Sequence, residues 1–182
     1  NRNAILNKFK INSKACIFLN ISNFKYNKGQ GRVISLFNKI PIQNSVLFLM
    51  GQNNSVIYYS YIKTIVNFYN KFSKNKKIFL LPSDEKIKNQ LYYISQFFLF
   101  GSRIEYDPLV MYEAIVYNVK FITYDVGSCN NVIKKHTGFV SKNHDEKIEY
   151  ILKNLKKKQK NNKVDKFYWN NICKKYLKIF NS

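Results

Sequence analysis

Apolar residues in this chain fall into short runs separated by polar stretches with helical spacing. The runs Ala15 to Ile21, Ser45 to Met50, Ile78 to Leu81, Phe97 to Phe100 and Lys120 to Tyr124 are strand-sized and rich in Ile, Val, Leu and Phe. Runs of this kind, bounded by turn formers, predict strands buried on both faces. Between them the period changes. A helix is expected from about Gly31 to Asn38, and another over Val56 to Phe72, where Ile57, Tyr61, Ile65 and Phe68 recur at helical spacing. Pro82-Ser83-Asp84 stops a strand and starts a helix that runs to about Ser95, and Asp107-Pro108 starts a further one, with Asp107 as its cap. Downstream, DVGSCNNVI reads as a turn and short helix, HTGFVS as a turn and edge strand, and Asp145 to Lys158 as a helix running into the basic KKKQKNNK. The segment KFYWNNICKKYLKIF, with Trp169, closes the chain as a last helix. Strand and helix alternate about six times, which predicts a Rossmann-like α/β domain, a mostly parallel sheet with helices on both faces.

Composition changes this picture little. With 182 residues and 46% hydrophobic content the chain can build one sizeable core. A net charge of +21 points towards nucleic acid or an anionic membrane surface. However, arginine occurs only at Arg2, Arg32 and Arg103, and the lysines are dispersed among abundant Asn, Ile, Phe and Tyr, as AT-rich coding would produce. No nucleic-acid-binding pattern is present, so nucleic acid is not the expected partner. Cys16, Cys129 and Cys173 form no CxxC pair, which fits a reducing compartment. No run is long enough to span a membrane, so a cytoplasmic location is expected, at most peripheral to the inner membrane face. The first residue is Asn, which suggests a fragment. GxGxxG, GxxxxGK[ST], HExxH and GxSxG are all absent, which disfavours dehydrogenase, P-loop, zincin and hydrolase chemistry.

The candidate chemistry lies in Leu99 to Asp125. Glu105 falls in the loop before the helix that starts near Pro108, and Glu113 lies about one and a half turns inside that helix. Helical side chains lean towards the N-terminus, so both carboxylates are expected to flank one pocket above the strand ends. Such a pocket, beside a helix N-terminus, favours anionic phosphate.

The stretch SRIEYDPLVMYEAI, with its E-x7-E spacing, preceded by an apolar strand and followed by a strand and DVGS, resembles the donor-site signature of group 1, family 4 type, retaining glycosyltransferases of the GT-B fold. RNAILNKF likewise resembles that family's interdomain linker, an Asn-Ala-Ile turn leading to Phe9. The resemblance implies a linker remnant over residues 1–14, a nucleotide-sugar donor domain over 15–162, and a closing helix over 163–182 that packs back towards the domain junction. It implies binding of a nucleotide-diphosphate sugar, a UDP-sugar ahead of a GDP-sugar, with no metal and no other cofactor. The acceptor, a sugar or a lipid-linked sugar in polysaccharide or glycoconjugate synthesis, would be held by the missing N-terminal half, without which this chain would be inactive. Glu105 is the catalytic candidate, binding donor-sugar hydroxyls near the anomeric carbon, and Glu113 would accept from the ribose hydroxyls. Lys25 and Lys28 would hold the diphosphate, Gly51 would let backbone approach the nucleotide, Pro82 would lie near the base, and the Leu109 and Val110 amides would face the phosphates. The chain departs from the common Glu-Gly-Phe-Gly: Tyr106, Asp107 and Pro108 stand there. A non-catalytic nucleotide-sugar-binding module and a basic nucleic-acid-binding domain are the alternatives.

Overall fold

The computed structural model describes residues 2–134, 136 and 138–155. Its strands are β1 (Cys16–Ile21), β2 (Ser45–Gly51), β3 (Lys76–Pro82), β4 (Phe97–Leu99), β5 (Lys120–Thr123) and β6 (Gly138–Val140). They form one sheet in the order β3-β2-β1-β4-β5-β6 with every neighbouring pair parallel, and β6 is the edge strand that the sequence predicts. The helices are α1 (Arg2–Lys8), α2 (Gln30–Lys39), α3 (Val56–Phe72), α4 (Glu85–Ile94), α5 (Leu109–Val116), α6 (Cys129–Ile133) and α7 (His144–Asn154). Apolar residues of α1, α4, α5 and α6 join the core on one face of the sheet, and those of α2, α3 and α7 the core on the other. This is the doubly wound α/β fold expected from the alternation of elements. The strand order reverses between β1 and β4, and the crevice at such a reversal is where sheets of this kind bind ligands.

Helix starts follow side-chain capping where the sequence offers it. Ser55 accepts from the Tyr58 amide at α3, and Asp84 from the Ile87 amide at α4. Three expectations change. First, residues 2–8 form a helix where a turn was expected, because Leu6 is buried and the Arg2 guanidinium donates to the carbonyls of Ile94 and, at 3.0 Å, Ala15. Second, β3 begins at Lys76, not Ile78. The Lys76 stem lies in the sheet while its ammonium donates to Phe37 O (2.9 Å), Asn38 O (3.1 Å) and Ile40 O (2.5 Å), carbonyls at the end of α2 and its C-cap. Third, α3 spans the predicted residues but buries Ile62 and Val66, with Ile57, Tyr61 and Phe68 exposed. Its polar residues Ser60, Thr64, Asn67 and Lys71 keep to one stripe, but the apolar arc is wider than the face that packs on the sheet, so spacing alone did not single out the inward residues. The basic run after the last described helix, the closing helix with Trp169, and the boundary at 162 lie outside the described residues.

Candidate functional site

The loops leaving β1 and β4 meet at the strand-order reversal, and two glycines let them touch. Gly29 has φ +65°, and a Cβ there would stand 2.1 Å from the Gly101 carbonyl oxygen. A Cβ on Gly101 would stand 2.4 Å from Gly29 O. No side chain fits at either position. Around this contact the Arg103 amide donates to Asn27 O at 2.8 Å, and the buried Ser102 hydroxyl lies 3.1 Å from the same oxygen. Clamped in this way, Lys28 reaches Glu105: Nζ to Oε1 is 2.5 Å, with the side chains 26% and 14% exposed. Ser102 donates to the same carboxylate oxygen at 2.8 Å. A third glycine supports the loop from behind. Gly127, at φ +53°, would place a Cβ 2.2 Å from Tyr106 O, and the next amide, Ser128, donates to that oxygen at 2.8 Å.

Lys28 and Glu105 line a cavity of about 320 Å³, together with Ser22, Gly51, Ser83 and the start of α5 at Leu109 and Val110. α5 begins without a side-chain cap, so its first amides keep their partial positive charge for a ligand. Asp107 is not that cap. Its carboxylate accepts from the Tyr112 hydroxyl at 2.9 Å and from the Ser128 hydroxyl, and extended Pro108 occupies the position before the helix. Gly51 lines the cavity, but its missing side chain serves the chain itself, since a Cβ there would stand 2.0 Å from Ser22 O. The Ser22–Asn23 turn is held by Gln30, whose buried amide donates to Ser22 Oγ (2.9 Å) and Asn23 O (3.0 Å).

The expectation that Glu105 and Glu113 flank one pocket is corrected. Glu113 lies outside the lining, turned towards α4, where Lys88 Nζ sits 3.0 Å from Oε1 and the Tyr92 hydroxyl donates to Oε2 at 2.9 Å. Burial, then the Glu113 charge, pushes the Tyr92 phenol far above its ordinary value, so it stays a donor. Burial opposes the Lys88 charge, but hydrogen bonds to Glu85 and Glu113 outweigh it and hold the ammonium above its ordinary value. Lys25 is exposed on the approach to the single helical turn Tyr26–Lys28, and Pro82 is exposed at the end of β3; neither lines the cavity. Sequence reasoning missed Ser102, Lys88, Tyr92 and Gln30 as parts of the site. Only Lys88, one helical turn after Glu85, carried a signal, and that signal pointed to a surface pair.

Burial pushes the Cys16 thiol up to about 12 and the Cys129 thiol up to about 11, so neither is a ready nucleophile. Among the described residues, no group of three or more His, Cys, Asp or Glu could hold a metal ion, and no helix is long and apolar enough to cross a membrane.

Solved structures share this fold. The catalytic domain of starch synthase IV from Arabidopsis thaliana, bound to ADP and acarbose, superposes with a TM-score of 0.73 at 15% identity, over 99% of this chain and 41% of that one. Anabaena HepE in complex with UDP and glucose gives 0.70 at 15% identity, over 85% and 42%. Sucrose-phosphate synthase from Thermosynechococcus elongatus gives 0.66 at 18% identity, over 84% and 39%. The chain thus spans about two fifths of the length of these structures. No curated protein matches the sequence significantly. The profile described as "Glycosyl transferases group 1" matches residues 1–167, nearly the whole chain and every strand and helix described above, and the protein belongs to that family.

Proposed function

We propose that this chain is the donor-binding part of a retaining glycosyltransferase and holds a nucleotide-diphosphate sugar in the cavity at the β1–β4 reversal. One observation carries the proposal. The only cation lining that cavity among the described residues, Lys28, contacts the Glu105 carboxylate and shares the lining with the uncapped start of α5. A diphosphate in this position gains from both positive groups, and as the glycosidic bond breaks they stabilise the charge that develops on the leaving phosphate. Lys28 is engaged by Glu105 in the free chain, so the phosphate competes for it. Once Lys28 turns to the phosphate, Glu105 is released to accept from hydroxyls of the donor sugar near the anomeric carbon, with Ser102 still orienting it. Glu113, outside the cavity lining and held by Lys88 and Tyr92, takes the ribose hydroxyls where the nucleoside extends past the start of α5 towards α4. The neighbours solved with ADP and with UDP support a nucleotide ligand. Transfer to a glycan or lipid-linked acceptor, at the cytoplasmic membrane face, belongs to the whole protein, because positioning a second substrate supplies a large part of such catalysis.

Calorimetric titration of the folded chain with UDP, ADP and GDP, and with their glucose conjugates, tests the proposal. Heat of binding with at least one nucleotide, UDP first, and tighter binding of its sugar conjugate are expected. A folded chain that binds none of the six would refute the assignment.

A further inference from the structure

The two clamped loops also border a second cavity, on the α2–α3–α7 side of the sheet. It encloses about 490 Å³, and its walls carry the cations Arg32, Arg103 and Lys142 with the rings of Tyr26, Tyr58 and Tyr61. Among the described residues no aspartate or glutamate lines it. Two of these charges, Arg32 and Arg103, are held over aromatic rings, while Lys142 is exposed on the loop after β6. The Arg32 guanidinium lies 3.5 Å from the centroid of the Tyr124 ring, and the ammonium of the buried Lys147 lies 3.6 Å from the same centroid while donating to Ser141 O. The Tyr124 hydroxyl is anchored in turn by His144 Nε2 at 2.5 Å. The Arg103 guanidinium sits over the Tyr26 ring, 5.1 Å from its centroid. The first turn of α2, which contributes Gly31 and Arg32, contains no acidic residue, so the helix start adds positive potential.

A concave site that gathers cations without a carboxylate has its counter-charge still to come, because clustered like charges are unfavourable until an anion joins them. Behind this lining, burial and then the nearby Arg32 charge depress the Lys147 ammonium to about 8. Arginine forks match phosphate oxygens, and tyrosine rings offer flat faces and hydroxyls to a ring-shaped body. The enclosed volume is that of a small-molecule site and not of a track for a polymer. We infer that this cavity binds a phosphate monoester carried on a ring, a phosphosugar or a nucleoside monophosphate, with Arg32, Arg103 and Lys142 on the phosphate and Tyr26, Tyr58 and Tyr61 against the ring. The site is independent of the donor cavity, and the segment from Tyr26 and Lys28 into the first turn of α2 at Arg32 is shared by both.

The test is calorimetry on the whole chain with glucose 6-phosphate, AMP, inorganic phosphate and glucose. At least one monoester should bind about tenfold or more tightly than inorganic phosphate, and glucose should give no measurable binding. Whichever monoester binds tighter identifies the ring. Arg32→Gln and Arg103→Gln should each weaken it about tenfold, the difference expected for a hydrogen bond to a charged group. Lys142→Gln, on an exposed loop where folding is not at stake, should weaken it in the same direction, and Lys28→Ala should leave it within about twofold. Absence of monoester binding, affinity no better than that of inorganic phosphate, or a loss caused by Lys28→Ala and not by the Arg32, Arg103 and Lys142 variants would overturn the inference. The last outcome would place the ligand in the donor cavity.

Discussion

The two cavities that share the Tyr26–Arg32 and Gly101–Glu105 loops differ in how their charges are settled. In the donor cavity the cation is paired: Lys28 contacts Glu105 at 2.5 Å, and Ser102 satisfies the same carboxylate. In the second cavity Arg32 and Arg103 lie over tyrosine rings, and neither they nor Lys142 share the lining with a carboxylate among the described residues. Pairing has a consequence for binding. An anion entering the first cavity must break an ion pair before it gains the lysine, whereas one entering the second breaks none. Under the proposed reading this arrangement favours a ligand that, beyond its phosphates, offers Glu105 new hydroxyl partners, since these offset the lost pair.

The broadest way to break the comparison is to break the contact that both cavities share. Gly29→Ala imposes a left-handed conformation that costs a non-glycine residue about 1–2 kcal/mol, and its Cβ also overlaps the Gly101 carbonyl. A loss of about 2 kcal/mol or more is expected in urea denaturation, together with weakened binding at both cavities. If binding at either cavity survives intact, the loops are not a common support.

The two glutamates sharpen the donor side. Glu113→Ala should weaken UDP about tenfold, because a hydrogen bond to a charged group contributes about 1.5–3 kcal/mol. Glu105→Ala should act with the opposite sign on the nucleotide. Freeing Lys28 from a partly exposed ion pair recovers up to about 1 kcal/mol, or up to about fivefold tighter UDP, while the added affinity of UDP-glucose over UDP disappears. Isothermal titration with the two ligands separates these outcomes, and a parallel loss in both variants would contradict the competition for Lys28.

A smaller effect is expected at Tyr92. Tyr92→Phe removes one donor from Glu113 and keeps the stacked ring contacts with Phe98 and Tyr117, so UDP should weaken by about threefold, within the 0.5–1.5 kcal/mol of an ordinary hydrogen bond. The UDP-glucose increment over UDP should be unchanged.

The smallest expected effect is the pH response of the second cavity's frame. Burial, then the charges of Lys147, Lys39 and Arg32, hold the His144 imidazole below its ordinary value of 6.5. In acid the unfolded chain therefore takes up this proton before the folded chain does. The contribution to stability is complete above pH 6.5 and declines as the pH falls through the depressed folded value. Thermal melts at stepped pH should show a shallower decline below pH 6.5 for His144→Gln than for the native chain.

Much of the fold was legible because a parallel sheet covered on both faces writes itself as continuous apolar runs. Such runs marked β1, β2, β4 and β5 to within a residue or two, helical spacing marked α3, and loop and cap signals marked α2 and α4. The order strand, Gly-Ser, Glu, Asp-Pro, helix, strand, Asp-Val-Gly was likewise enough to place Glu105 beside the start of α5, because loop length and helix start are local properties. Tertiary structure decided what depends on partners distant in sequence. Lys76 entered β3 because its ammonium found the carbonyls at the end of α2, about 37 residues away in the chain. Glu113 turned out of the cavity because Lys88 and Tyr92 of α4 are packed beside it, and helical geometry alone had left both directions open. Of two candidate lysines only Lys28 faces the cavity, a choice made by the Gly29–Gly101 contact across the sheet. The second cavity lies wholly in this category: its cations come from α2 and from the loops after β4 and β6, and no short window of sequence holds more than one of them.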